Sequence, residues 1–533
     1  MIKPYIFSIF IFYFFSLSLH AATYIADPTN YLSLRDGLLA GDTLMLVPGN
    51  YLNGLRINNL NGTADKWIVI KSEIPHEAVL VARDGSNTMD ITNSSYVKIE
   101  GFTFDGKELP DIDAIKASGT SANWAHHVWI YNNIIINHDA DQQTCGISTK
   151  ITTWDWLISY NKIMSAGTGI YLGNSDGTMP FIEGIIEYNF VQNPVGYCMQ
   201  IKYQINRPDL PGIPTAPTTT IIRHNVFVKN DRQSPDGDRP NLLFDGQPIS
   251  GAGADDRVEC YGNFLFNNPR ESLLQGTGNA SVHDNIFVNS AYAAMTFQTH
   301  NSRSPKELFI YNNSIYYTGT GINVSNPVLT YKQIVAGNAV FANTPINGVT
   351  PGDNITGKIS GASYFFNNPD TSIPNMDFYP KTGVPRANVD YIFFQTKDID
   401  YNKDFNGNPQ DGTYYGAYQG EGTNPGWKLA LDIKGGGITS VNEFPKLENY
   451  NLSIFPNPAI STSTISFKIP EFSHVRLDVY NIFGIKLSSL VDKEMESGYH
   501  SIMMDTKSLA NGIYFIKLSA GSNNETKKLL ITK

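Results

Sequence analysis

Lys202 lies in a short apolar strand, CMQIKYQ, with Gln200 and Gln204 on its own side of the alternation and Arg207 a few residues beyond. An amine whose pKa is lowered by neighbouring cations can remove the proton α to a carboxyl group, and a guanidinium can grip that carboxyl in a fork. The chemistry these residue types fit is β-elimination in a uronate sugar, where a cation must also stabilise the enolate-like charge. Lys202 is the expected base, flanked by Arg207 and Lys150, with Arg207 or Arg239 as the carboxylate clamp. His300, His224 and Tyr171 are reserve acid/base groups. The plainer reading is a solvated lysine and two arginines that tie their loops to Asp209 and Asp238.

Carboxylates offer a second chemistry. Asp245 beside Asp255 and Asp256 is the set that could serve a hydrolase needing paired acids, although Asp255-Asp256 also reads as a turn before a strand. With Asp236 and Asp238, the same three are candidate oxygen ligands for calcium, the one cofactor these residues leave open. The run DYNKDFNGNPQDG (Asp400 to Gly412) lacks the spacing and final Glu of an EF-hand and reads as turn residues.

Such groups need a rigid frame, and the chain supplies one by repetition. An apolar run, an asparagine and another apolar run recur seven times, with final asparagines at 133, 161, 189, 225, 263, 285 and 313. The steps are 28, 28, 36, 38, 22 and 28 residues. Short alternating strands, IIEYNFV being typical, and a variable-length repeat mean a solenoid whose units bury their faces against neighbours. The expected fold is all-β: a parallel β-helix followed by a small antiparallel β-sandwich. Asparagine at a turn tolerates the left-handed backbone, and its side chain can bond the next coil, so stacked copies would form a ladder.

Strand alternation then assigns faces. Met199, Ile201 and Tyr203 should point inward, and Gln200, Lys202 and Gln204 outward. Alignment by the asparagines puts Lys150, Gly173, Lys202, Asp245 and Gln298 in one outward column, and Gln204, Gln247 and His300 in the next. Gln275 joins the same surface. With Tyr171, this polar face would suit an extracellular polysaccharide lying along the rod. Two long steps carry insertions, Ile205 to Thr219 and the pair Lys229 to Asn241 and Ile249 to Asp256. They fall in adjacent coils and are expected to project together at one side, where loops on a rigid scaffold usually carry function.

The rest of the chain sets bounds. Residues 1–22 have the lysine, apolar stretch and small-residue end of a secretory signal peptide, and no later segment is apolar enough to span a membrane. Leu34 to Leu39 is expected as a short helix capping the solenoid, followed by a strand from Thr43 to Val47. Cys145, Cys198 and Cys260 lack metal-ligand spacing and read as buried inert thiols. A formal net charge of −10 argues against nucleic acid as a partner. The expected order is a β-helix over 23–420, a linker over 421–448 and a strand-rich unit over 449–533, in a monomer.

The C-terminal unit, with FPNPA (Phe455 to Ala459), VYNIFG (Val479 to Gly484), SGYH (Ser497 to His500), LANGIYFIKL (Leu509 to Leu518) and the terminal TKKLLITK, resembles the type A C-terminal sorting domain of the type IX secretion system of Bacteroidetes. That resemblance implies the secretion machinery as a partner, export through the outer membrane, and release or surface attachment. AGDTLMLVPGNY (Ala40 to Tyr51) and DGTYYGAYQG (Asp411 to Gly420) look like the opening and closing coils of secreted right-handed β-helix proteins, the group containing pectate lyases and chondroitinase-B/alginate lyases. Chondroitinase-B-like enzymes hold calcium with acidic residues just before the catalytic lysine; the equivalent outward residue here is Gln200. The resulting expectation is a polysaccharide lyase acting on a uronate-containing glycan. The alternatives are a non-catalytic glycan-binding or adhesive surface protein and a polygalacturonase-like hydrolase.

Overall fold

The computed structural model describes residues 21–435, 452–469, 472–481, 485–496, 498–520 and 523–532. The expected signal peptide therefore lies almost wholly outside the described residues. Among them, three long parallel sheets run side by side along a right-handed β-helix. Sheet I has 12 strands, from Thr23–Ala26 to Gln333–Ala336; sheet II has 11, from Leu55–Asn58 to Thr344–Asn347; sheet III has 12, from Gly49–Tyr51 to Ile355–Gly357. Each coil passes through sheet I, turns at a ladder asparagine into sheet III, then crosses to sheet II.

Alternation builds the core. In sheet II the inward residues Ile115, Ile147, Ile170, Met199, Leu242, Leu274, Met295 and Ile322 pair in register from coil to coil, and all are 0% exposed. Each such side chain stabilises the fold by roughly 2 kcal/mol through burial. Where Phe244 and Phe297 stack in the next inward column, the residue between them is Gly276; a Cβ there would lie 2.6 Å from both rings.

The asparagine ladder runs further than the seven repeats, through Asn338 to Asn354. Asn225 is typical. Its Oδ1 accepts from the backbone N–H (2.9 Å) and side-chain amide (3.0 Å) of Asn189, while its own amide donates to Ile186 O, Arg223 O and Asn263 Oδ1. The left-handed residue is not the ladder asparagine, contrary to expectation, but the one before it: Asn132, Tyr160, Tyr188, His224, Gly262, Asp284, Asn312 and Gly337, with φ between 51° and 70°. The preceding residue makes the corner, which frees the asparagine to point inward and bond. Tyr160, Tyr188 and His224 then stack outside, with ring centroids 5.0 and 4.9 Å apart.

The ends are closed. A five-residue helix, Tyr31–Arg35, covers the first coil, slightly earlier than expected because Gly37 ends it before Leu38. At the other end, residues 359–435 fold back over the outer faces of sheets I and III. Phe366, Phe378, Phe405 and Leu429 pack with Phe190, Val226, Phe264 and Val288 of sheet III. Phe394 stacks on Tyr311 of sheet I at 3.8 Å. The stretch 421–435 is thus part of this covering and not the start of a linker: Lys434 is 4% exposed, and its Nζ donates to Gly262 O at 2.6 Å. Burial drives its pKa well below the usual lysine value.

The C-terminal unit has its own antiparallel core, with a three-stranded and a four-stranded sheet around Phe467, Leu477, Ile516, Leu518 and Leu529. No helix among the described residues is long and apolar enough to cross a membrane.

Candidate functional site

Sheet II keeps its outer face polar, while the fold-back covers the later coils of the other two. The insertions frame it from both edges instead of gathering at one side as expected. Residues 229–241 enter sheet II, ahead of the strand Leu242–Phe244, and reach back along the rod, where Gln143 donates to Asp236 at 2.7 Å and Arg232 pairs with Asp139. Residues 205–218 and 249–256 leave sheet II on the opposite edge. Chain direction sets the position of each loop: one that leads into a strand flanks its start, and one that leaves it flanks its end. The result is a walled groove.

The ladder bonds continue one residue past each strand. Lys150 N donates to Ala117 O, Lys202 N to Leu172 O, Asp245 N to Ile201 O and Gln298 N to Gly276 O, at 2.7 to 3.2 Å. This aligns Lys150, Gly173, Lys202 and Asp245 on successive coils, with Thr277 between Asp245 and Gln298. A Cβ on Gly173 would sit 3.4 Å from Lys202 Cβ, so the absent side chain leaves a notch between the two lysines. The neighbouring column is Ser148, Tyr171, Gln200, Leu243, Gln275, Thr296 and Asn323.

Electrostatics distinguishes the two lysines. Burial first, with the charges of Lys116 and Lys202, lowers the pKa of Lys150 to about 8 against the opposing pull of Cys145 and Asp113. Its Nζ lies over the Tyr171 ring, 3.0 Å from the centroid. Burial raises the Tyr171 phenol to about 12, and its hydroxyl bonds Ser175 Oγ at 3.1 Å. Lys202 is also lowered, by burial and by Arg239, but Asp245 opposes the shift. Arg239 is held by Asp236 O at 2.7 Å, with its guanidinium 5.8 Å from the Tyr197 ring.

Beyond Lys202 the hairpin 298–304 bends back over the sheet, closed by paired backbone bonds between His300 and Arg303. Its His300 Nδ1 meets Asp245 Oδ2 at 2.9 Å, and Asn301 donates to the same oxygen at 2.6 Å. The Asp245 carboxylate is fully covered while His300 is 46% exposed. The carboxylate holds the ring through Nδ1, and nearly half of the His300 side chain is open to solvent.

Several expected site residues are occupied elsewhere. Arg207, 3% exposed at its side chain, pairs with Asp256 and bonds Pro214 O, which fastens the two exit loops together and prevents it from gripping a substrate carboxylate. Replacing Arg207 by alanine is expected to cost roughly 3 kcal/mol by leaving Asp256 buried and unpaired. Thermal melts and proteolysis within 205–218 would register this; a raised KM at an unchanged melting midpoint would instead mean that Arg207 touches substrate.

Gln204 and Gln247 do not face outward. The strand ends at Ile201, the chain turns, and the two amides bond Phe181 O and the Asn279 backbone inside the corner. The same turn keeps Tyr203 from the core: it sits half-buried against Arg303, 4.8 Å from guanidinium to ring centroid. Gln200 shares the outward column but is 3% exposed, so it presents no amide to a ligand. His224 stands on the ladder corner, its Nδ1 3.0 Å from Lys434 Nζ, away from the groove.

The aspartates proposed for calcium or paired-acid chemistry do not converge. Asp256 is bound to Arg207 and the Thr218 N–H, Asp245 to His300 and Asn301, and Asp255 points to solvent. Among the described residues no group of three or more His, Cys, Asp or Glu side chains is arranged to hold a metal ion. The donor set does not fit calcium. The three cysteines are buried and unbridged.

Sequence reasoning missed Tyr197, Arg303, Asn301, Glu271 and Tyr292. Counting register outward from the ladder would have found the coils of Glu271 and Tyr292, but not the hairpin that carries Asn301 and Arg303.

Known proteins resemble both units of the chain. Residues 453–532 match the family described as the secretion system C-terminal sorting domain. No curated protein matches the sequence. The β-helix is similar in fold to the PL6 family alginate lyase AlyGC (13% identity, TM-score 0.42, covering 62% of this chain and 50% of that one). It is also similar to a PL6 family polysaccharide lyase from Pseudopedobacter saltans (11%, 0.36, 63% and 92%) and an alginate lyase from Paenibacillus sp. (14%, 0.35, 63% and 98%). The chain spans about half the length of AlyGC. With its C-terminal unit matched and its body described, the protein is a parallel β-helix carrying a type IX sorting domain, exported to the cell surface or the medium.

Proposed function

We propose that the groove of sheet II is the active site of a lyase that cleaves a uronate-containing glycan by β-elimination. The observation that carries this reading is the glycine notch at Gly173. It is flanked by two lysines of lowered pKa, and a tyrosine that stays protonated lies under one of them.

Lys202 is the residue sequence spacing favours as base, but Lys150 has the stronger claim. Its amine reaches about 8, so its lone pair is available near neutral pH, whereas Asp245 helps keep Lys202 charged. A uronate carboxylate seated in the notch would meet the Lys202 ammonium, with Arg239 beside it. Lys150 Nζ takes the C5 proton, the C5–H electrons form the C4=C5 double bond, and the C4–O4 bond breaks. Tyr171 gives its phenolic proton to the departing O4, and the proton on Lys150 restores Tyr171 afterwards. Base and acid stand together, so the C5 hydrogen and O4 must lie on one face of the sugar. His300, held by Asp245, faces the same groove and would hydrogen-bond the chain beyond the cleaved bond.

The test is the full chain incubated with alginate, pectate and chondroitin, followed near 235 nm for unsaturated ends. Binding without new ends or new reducing sugar would leave a glycan-binding protein and overturn the reading.

The pH profile is a further check. Below its pKa Lys150 is protonated and inactive as a base, so kcat/KM should rise about tenfold per pH unit and level off near pH 8. The Lys202 charge lowers the Lys150 pKa, so Lys202→Met should move that rise to higher pH, in addition to weakening substrate binding. An unmoved midpoint would remove Lys150 from the role of base.

A further inference from the structure

Past the hairpin the groove changes character. An open depression of about 420 Å³ is lined by Glu271, Gln275, Tyr292, Thr296, Gln298 and Asn323, among others. Gln275, Thr296 and Asn323 are consecutive members of the outward column that includes Tyr171. Lys116, Lys150 and Lys202 stand on earlier coils, and Arg239, one coil before Glu271, has its guanidinium bonded to Asp236 O. Here the lining groups are amides, hydroxyls, one carboxylate and an aromatic ring, Tyr292, that is 66% exposed.

We propose that this depression is a separate subsite for an uncharged sugar. Amides and hydroxyls donate to and accept from sugar hydroxyls equally well, and an exposed tyrosine offers an apolar face against which a pyranose can lie. Glu271 accepts hydrogen bonds from hydroxyls but repels a uronate carboxylate, and the lining itself holds no cation. The Gln275 strand is three coils from the Gly173 strand, about 14 Å at the usual strand spacing, or about three monosaccharide lengths. Resting on the lyase reading, the inference is that the substrate alternates or branches, with a uronate in the notch and a neutral residue farther along, and is not a homopolymer of uronates.

Binding to the full chain tests it by calorimetry, with cello-, manno- and xylotetraose as neutral probes and tetragalacturonate and tetramannuronate as charged ones. At least one neutral tetraose should bind the protein and its Lys150→Met variant equally, and about tenfold more weakly after Tyr292→Ala. Glu271→Gln should strengthen binding of the charged tetramers and leave the neutral one unimproved. If no neutral tetraose binds, or if its binding depends on Lys150 and not on Tyr292, the subsite is overturned. Neutral binding at Tyr292 without elimination on any uronate glycan would sink the lyase reading alone.

Discussion

Replacing Lys150 by methionine is expected to lower kcat/KM on a uronate glycan by on the order of 10³-fold, the range for loss of a positioned general base. The same change should leave the melting midpoint unchanged or raise it. Lys150 is held in an environment that penalises its charge, and burial is the largest cause of its lowered pKa. Methionine keeps the length and the contact with the Tyr171 ring while removing that penalty. A base therefore shows itself by losing activity without losing stability. If Lys150→Met retains activity and Lys202→Met abolishes it, the two lysines exchange roles. If neither matters, elimination does not run through this notch.

The second large effect is on stability. Asn225→Ala should cost about 5 kcal/mol, since several buried groups lose their partners together and each orphaned group costs about 1–3 kcal/mol. The Asn189 N–H and amide lose their acceptor, and Ile186 O, Arg223 O and Asn263 Oδ1 lose a donor. Alanine fills neither the space nor the bonds. Chemical denaturation of the full chain measures the cost, and a loss below about 2 kcal/mol would mean that water repairs the gap. Asn225→Asp is the sharper comparison, because it keeps the acceptor for Asn189 but offers no amide to the three oxygens.

Much of this architecture is legible in the sequence because each coil needs the same residue type at the same corner. An inward asparagine recurs where nothing else supplies both donor and acceptor, and counting from it aligns Lys150, Gly173, Lys202 and Asp245 correctly. The left-handed corner residue is not legible, since tyrosine, histidine, aspartate, asparagine and glycine all occupy it and the stacking outside the rod decides among them. Alternation misplaces Gln204, Gln247 and Tyr203 because it assumes a strand that continues, and this one ends at Ile201. The role of Arg207 depends on Asp256, 49 residues away, and the placement of His300 on a hairpin that crosses two coils to Asp245. Spacing between asparagines carries neither. The tail over 421–435 reads as a linker by composition, yet it supplies Leu429 and Lys434 to the interior.

The ladder ties each coil only to the coils on either side of it, so nothing in its bonding specifies how many there are. Each coil adds about 4.8 Å of groove, close to the advance of one sugar along an extended glycan. Duplication or loss of a single 28-residue unit would then lengthen or shorten the binding surface by about one monosaccharide and leave every other amide bonded as before. In such a scaffold, the length of oligosaccharide recognised is inherited as a count of coils, independently of the residues that choose which sugar is cut.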